Sequence, residues 1–169
     1  MRYKLFIPKQ AVGASLVYFD LFNPASSQCW VDVESVVPVV SGEVAVTGVV
    51  AVDLFLTRTT AIGTGGTEAV AEGTSLTVPA FVATDHAQPI NHITARLTPT
   101  GGATAGAVLA SRSVYTEETN AGAYTPAADM VPVGVVTIPS GKGIRVVQGG
   151  VASVGNIGFD VTFNVRLLS

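Results

Sequence analysis

Apolar and polar positions alternate with a period of two through much of this chain. From Val50 onward, Val50, Val52, Leu54 and Leu56 fall on one side, and Ala51, Asp53, Phe55 and Thr57 on the other. Successive side chains of an extended strand point to opposite faces, so this register predicts a strand with one fully buried face. Val44–Thr67 as a whole reads as a central strand that feeds a surface loop, Gly63-Thr64-Gly65-Gly66-Thr67. Glycines reach positive φ there without the steric cost other residues meet. The end of the chain is as regular. Across Asn156–Leu168, Phe159, Val161, Phe163, Val165 and Leu167 share one face, and Asp160, Thr162, Asn164 and Arg166 share the other. That is a packed strand, not a tail.

Further strands are expected at Tyr3–Ile7, ended by Pro8, then at Ser15–Phe22, Cys29–Val37 and Ile90–Thr98. Ala103–Tyr115 has some helical composition, but Gly106 and the Ser-Arg-Ser-Val-Tyr ending favour a strand. Val131–Ile138 and Gly143–Val147 read as short strands joined by a hairpin turn at Pro139-Ser140-Gly141-Lys142. Glu68–Thr77 reads as a loop or weak strand, Ala80–Gln88 as a connection, and Thr116–Ala128 as the longest loop. Eight to ten strands with turn signals between them, and no amphipathic crossover helices, predict an all-β fold: a jelly-roll-like antiparallel β-sandwich. A chain of 169 residues fits a single domain. Met1–Gln10 is expected to be a short N-terminal arm or edge strand, and residues 11–169 the sandwich.

Composition changes the picture in one respect. Only 12% of residues are charged and mean hydropathy is +0.49, yet no apolar run reaches the length of a membrane span. So much apolar residue with so little charge predicts that other subunits or a partner cover part of the surface. The net charge is −3 and the nine Lys and Arg residues are scattered, which argues against a nucleic-acid partner. The lone Cys29 forms no intrachain disulfide, and beside Trp30 in an apolar run it reads as a small buried hydrophobe rather than a nucleophile. The basic start MRYKLFIPKQ is cut after three apolar residues, so it does not read as a secretory signal.

No motif declares a chemistry. A phosphate-binding loop needs Lys then Ser or Thr after its last glycine, but Glu68-Ala69-Val70 follows Gly63–Thr67, and Gly143 follows Lys142 in Ser140-Gly141-Lys142-Gly143. His86 and His92, with Asp85 nearby, are spaced across Pro89 with no third strong ligand close by. No G-x-S-x-G elbow is present, and the adjacent Glu117-Glu118 do not make a catalytic carboxylate pair. The reading therefore assigns no catalytic, cofactor-binding or metal residue, and expects no enzyme and no cofactor.

Three stretches carry a resemblance: Leu54–Thr67 (LFLTRTTAIGTGGT), Pro99–Thr119 (PTGGATAGAVLASRSVYTEET) and Pro139–Val165 (PSGKGIRVVQGGVASVGNIGFDVTFNV). Together with the early Asp20-Leu21-Phe22, their layout resembles small structural proteins of tailed bacteriophages and prophages, over most of the chain from Leu16 on. The resemblance implies a structural virion protein with a jelly-roll-like sandwich. Its most plausible placement is as a head decoration (cement) protein on the capsid exterior, bound to the major capsid protein, often as a homotrimer. A neck, tail or fibre-associated protein is the neighbouring alternative, and the resemblance carries over no site residues. A carbohydrate-binding β-sandwich is a further alternative. Such modules display clustered exposed aromatics, whereas most aromatics here fall at inward positions; Tyr115 and Tyr124 are the ones a glycan test would target.

Overall fold

The computed structural model describes residues 1–40, 49–71, 76–84, 93–101, 104–117 and 128–168. Among these residues twelve strands run in chain order: β1 (Arg2–Ala11), β2 (Val17–Asn23), β3 (Cys29–Val40), β4 (Val49–Thr59), β5 (Thr67–Glu68), β6 (Val70–Ala71), β7 (Ala80–Ala83), β8 (Thr94–Leu97), β9 (Ala105–Glu117), β10 (Val136–Ile138), β11 (Lys142–Gln148) and β12 (Asn156–Leu167). No helix occurs among the described residues, and so none that could cross a membrane. The strands form two six-stranded sheets, β10-β3-β12-β1-β7-β6 and β5-β8-β2-β11-β4-β9. All pairs are antiparallel except β6–β7. The protein is an all-β sandwich.

The alternation read from the sequence maps onto the faces. Val52, Leu54 and Leu56 are buried on β4, and Cys29, Val31 and Val33 on β3, with Trp30 exposed between them. On β12, Ile157, Phe159, Val161, Phe163 and Val165 are buried; Leu167, expected on the same face, stands exposed at the strand's end. Side chains of the two inner faces merge into one core centred on two aromatic groups. Phe159 meets Tyr18 edge-on with ring centroids 5.1 Å apart, and Phe19 at 5.5 Å. Phe163 stacks on Tyr3 at 5.8 Å and meets Phe81 at 6.1 Å. Edge-to-face and offset rings are the favoured aromatic geometries, so these groups add to the area they remove from water.

Several expectations need correction. Met1–Gln10 is neither an arm nor an edge strand. β1 lies inside its sheet, paired with β12 from Arg2↔Asn164 to Ala11↔Asn156 and with β7 from Tyr3↔Ala83 to Phe6↔Ala80. Tyr3, Leu5 and Ile7 are buried, and the chain's two ends meet where Val165 N donates to the Met1 carbonyl at 2.8 Å. Pro8 does not end the strand, because it falls in a register shift between Ile7 and Gln10, where a missing N–H costs no ladder bond. Pro38 is accommodated differently. β10 pairs only with Val31–Val33; beyond it the outward backbone groups of Val36 bond Asp129 Oδ1 and Met130 N, and Pro38, two residues on, lacks an N–H on that same side.

The segment Pro139–Lys142 is a tight turn but not a hairpin. β10 belongs to one sheet and β11 to the other, so the turn carries the chain across the sandwich. Gly141 makes this possible at φ 73°, with its N–H on the Asn23 carbonyl, while the Ser140 hydroxyl donates to the Ala25 carbonyl. Of the expected strand Val131–Ile138, only Val136–Ile138 pairs. Ala80–Ala83, read as connection, is the short strand β7, too brief for alternation to show. β4 lies one strand in from its sheet's edge, and the part of that expectation over residues 44–48 lies outside the described residues.

Candidate functional site

Asp20 is the most unusual polar residue of the second sheet. It interrupts the apolar run Tyr18–Phe22 and alternates with Phe19 and Leu21, yet it is fully buried. The loop after β4 folds over it. Gly63 N donates to Asp20 Oδ2 at 2.7 Å, and a Cβ on Gly63 would lie 2.5 Å from Pro99 Cβ. Gly65 and Gly66 take φ 70° and 65°, and Thr64 N donates to the Gly101 carbonyl at 2.6 Å. Gly63–Thr67 is thus a cover stitched to the Thr98–Gly101 turn, and its glycines serve backbone approach rather than phosphate binding.

Arg145 on β11 stands opposite Asp20 in register. Burial pushes the Asp20 carboxyl up from the usual range, while the Gly63 amide and then the Arg145 charge pull it down. Asp20 Oδ1 and Arg145 Nε, both buried, have no hydrogen-bond partner among the described residues. The Arg145 side chain opens onto a cleft of about 470 Å³ lined by Ser15, Leu16, Val17, Thr98, Pro99, Thr100 and Gly101. Ser15 and Thr98 take φ 58° and 44°, uncommon for non-glycine residues. Among the described residues, the cleft offers a cation and hydroxyls and no nucleophile paired with a base.

The outer face of the first sheet carries a polar ladder set by strand register. Arg166 grips Asp32 through Nε and Nη2, and Thr137 Oγ1 donates to Asp32 Oδ1 at 2.7 Å. One rung along, Asn164 Nδ2 donates to Glu34 Oε1 at 2.5 Å, and Arg2 forms an ion pair with Glu34 at 2.9 Å. Trp30, 40% exposed, lies beside Arg166, whose guanidinium carbon is 5.4 Å from the ring centroid. These carboxylates are spent on their neighbours.

The hydrogen bond from Arg166 holds the Asp32 carboxyl below its ordinary range, aided by Thr137 and opposed by partial burial. A carboxyl with a lower pKa folded than unfolded stabilises at neutral pH, and that contribution is lost as pH falls through its folded pKa. Asp20, with its raised pKa, runs the other way: its contribution is present in acid and lost as pH rises through the raised value. Asp32→Asn is therefore expected to be less stable than wild type at neutral pH and to converge with it in acid, below about pH 4. Urea unfolding at stepped pH measures this, and parallel curves for the two proteins would refute it.

A second concavity, about 480 Å³, lies over β1 and β12 and is lined by Phe6, Pro8, Val39, Leu76 and Gly158 among others. It is mainly apolar, with no catalytic grouping among the described residues.

The residues singled out in the sequence do not come together. Cys29 is fully buried, with Sγ 3.6 Å from Asn23 Oδ1, while Asn23 Nδ2 donates to the Cys29 and Ile138 carbonyls. Asp85, His86, His92, Glu118 and Tyr124 lie outside the described residues. Glu117 ends β9, Tyr115 is exposed on it, and Lys142 starts β11. Among the described residues, no three His, Cys, Asp or Glu side chains cluster to hold a metal. Sequence reading missed the roles of Asp20 and Arg145, although a charge inside Tyr18–Phe22 was the available signal. No family model, curated protein or solved structure matches this chain.

Proposed function

We propose that this chain is a structural virion protein: a capsid decoration (cement) protein that binds the major capsid protein on the outside of a phage head and works as a homo-oligomer. The observation that carries the reading is the apolar exterior of a well-packed sandwich. Val133, Val135, Val151, Val154 and Leu168 are all more than half exposed on loops and termini. Combined with 12% charged residues, such a surface is what a protein covered by neighbours would present. The resemblance to small tailed-phage structural proteins supplies the kind of neighbour, and with it the jelly-roll-like topology.

The test is copy number on particles of the phage or prophage that encodes the chain. Purified particles analysed by quantitative mass spectrometry are expected to hold this protein in a fixed ratio to the major capsid protein, at hundreds of copies. A dozen or fewer copies would move it to the neck, tail or fibre. Absence from particles would overturn the virion reading.

A further inference from the structure

Three of the four sheet edges end in very short strands: β10 with three residues, and β5 and β6 with two each. The fourth edge is β9, with thirteen residues and no strand paired to its outer side among the described residues. Short edge strands are one way proteins avoid edge-to-edge pairing, and a long open one is a ready template for another strand. We infer that the open edge of β9 pairs antiparallel with β9 of a second copy of this chain. The inference rests on the edge itself and not on the virion reading.

The free backbone groups can be identified. Gly149 N donates to the Asp53 carbonyl, so Asp53 turns its backbone groups towards β11. Alternation then turns Val52 and Leu54 towards β9, whose residues opposite them are Val114 and Arg112. Those two use their backbone groups on β4. Ser111, Ser113 and Tyr115 aim theirs outward, away from the sheet.

The edge is regular only in part. Register shifts fall between Leu56 and Thr57 and between Thr57 and Thr59, while Val49–Leu56 pair without a break with Ala110–Glu117. Bulges twist an edge away from pairing, so the usable template is Ala110–Glu117. Within it, Ala110–Thr116 is symmetric about Ser113. A two-fold axis there sets Ser113 against Ser113 of the second copy, Ser111 against Tyr115, Arg112 against Val114 and Ala110 against Thr116.

This register explains why the occupant is a second copy. It opposes no like charges and places a small residue against Tyr115, whereas a register centred one residue earlier would set Arg112 against itself. Arg112 is also turned back on its own chain, donating through Nε to the Asp129 carbonyl and through Nη1 to the Ser111 carbonyl at 2.8 Å. That carbonyl keeps a second lone pair for the partner's N–H. Tyr115, 51% exposed, then gains cover across the pair. The contact is isologous and closes at two copies, joining two six-stranded sheets into one of twelve, whereas the phage-protein resemblance implied three copies.

The experiment is light scattering over a concentration series with two variants. Wild type is expected to approach twice the chain mass of 17.3 kDa. Ser111→Pro removes an outward N–H but no bond to β4, so it is expected to keep the wild-type circular dichroism while running as a single chain. Ser113→Cys is expected to form a disulfide-linked dimer on oxidation, without interference from Cys29, which is buried. A single-chain mass at every concentration with no cross-link would overturn the inference. So would a larger assembly that Ser111→Pro leaves unchanged.

Discussion

Removing Met1–Gln10 is expected to leave a chain that does not fold. β1 fills the space between β12 and β7, and its loss would open the long edge of β12 and leave β7 without its antiparallel neighbour. Tyr3, Leu5 and Ile7 would leave the core, taking away the stacking partner of Phe163. Burial of each such side chain contributes about 1.5–3 kcal/mol, so the three together approach the roughly 5–15 kcal/mol of a whole domain's stability. The lost ladder hydrogen bonds add to that. Circular dichroism and limited proteolysis of the truncated protein measure the outcome. A cooperative melting transition in the truncated chain would show instead that the segment is dispensable, as an arm would be.

Phe159→Ala is expected to be the most damaging single substitution of the core, at about 3–5 kcal/mol. The ring is 1% exposed and sits between Tyr18 and Phe19, joining the inner faces of the two sheets. Those neighbours are anchored on strands, and Tyr18 is further held by its hydroxyl bond to Gln148 Oε1 at 2.8 Å. They therefore have little freedom to close the cavity, and poor collapse raises the cost of truncation. Val108→Ala is the control, because Val108 is exposed and surface changes stay within about 0.5 kcal/mol. Urea unfolding of both variants measures the contrast. Equal loss at the two positions would mean that the aromatic group does not organise the core.

Part of the candidate site was visible from the chain and part was not. The glycines of Gly63–Thr67 marked a turn, but not that the turn covers Asp20, forty-three positions earlier at the point of contact. The charges of Asp32, Glu34 and Arg166 were legible as one wet face of each strand. Their union into a ladder depended on β3 and β12 becoming neighbours. Arg145 looked like any polar residue on a short strand, until β2 placed Asp20 opposite it.

By itself the sequence determined the class of the fold and the inward face of most strands, because side-chain direction along a strand is a local, period-two property. It also located most of the turns, where Gly frees the backbone and Pro fixes it residue by residue. Strand order was decided only by the tertiary structure. It makes β1 an inner strand beside β12, sends Pro139–Lys142 across the sandwich and puts the long strand β9 at a sheet edge. Alternation says which side chains face inward but not which strand lies alongside, since every inward-facing apolar strand offers nearly the same partner surface. The choice rests on packing between residues far apart in the chain, such as Tyr3 with Phe163 and Tyr18 with Phe159.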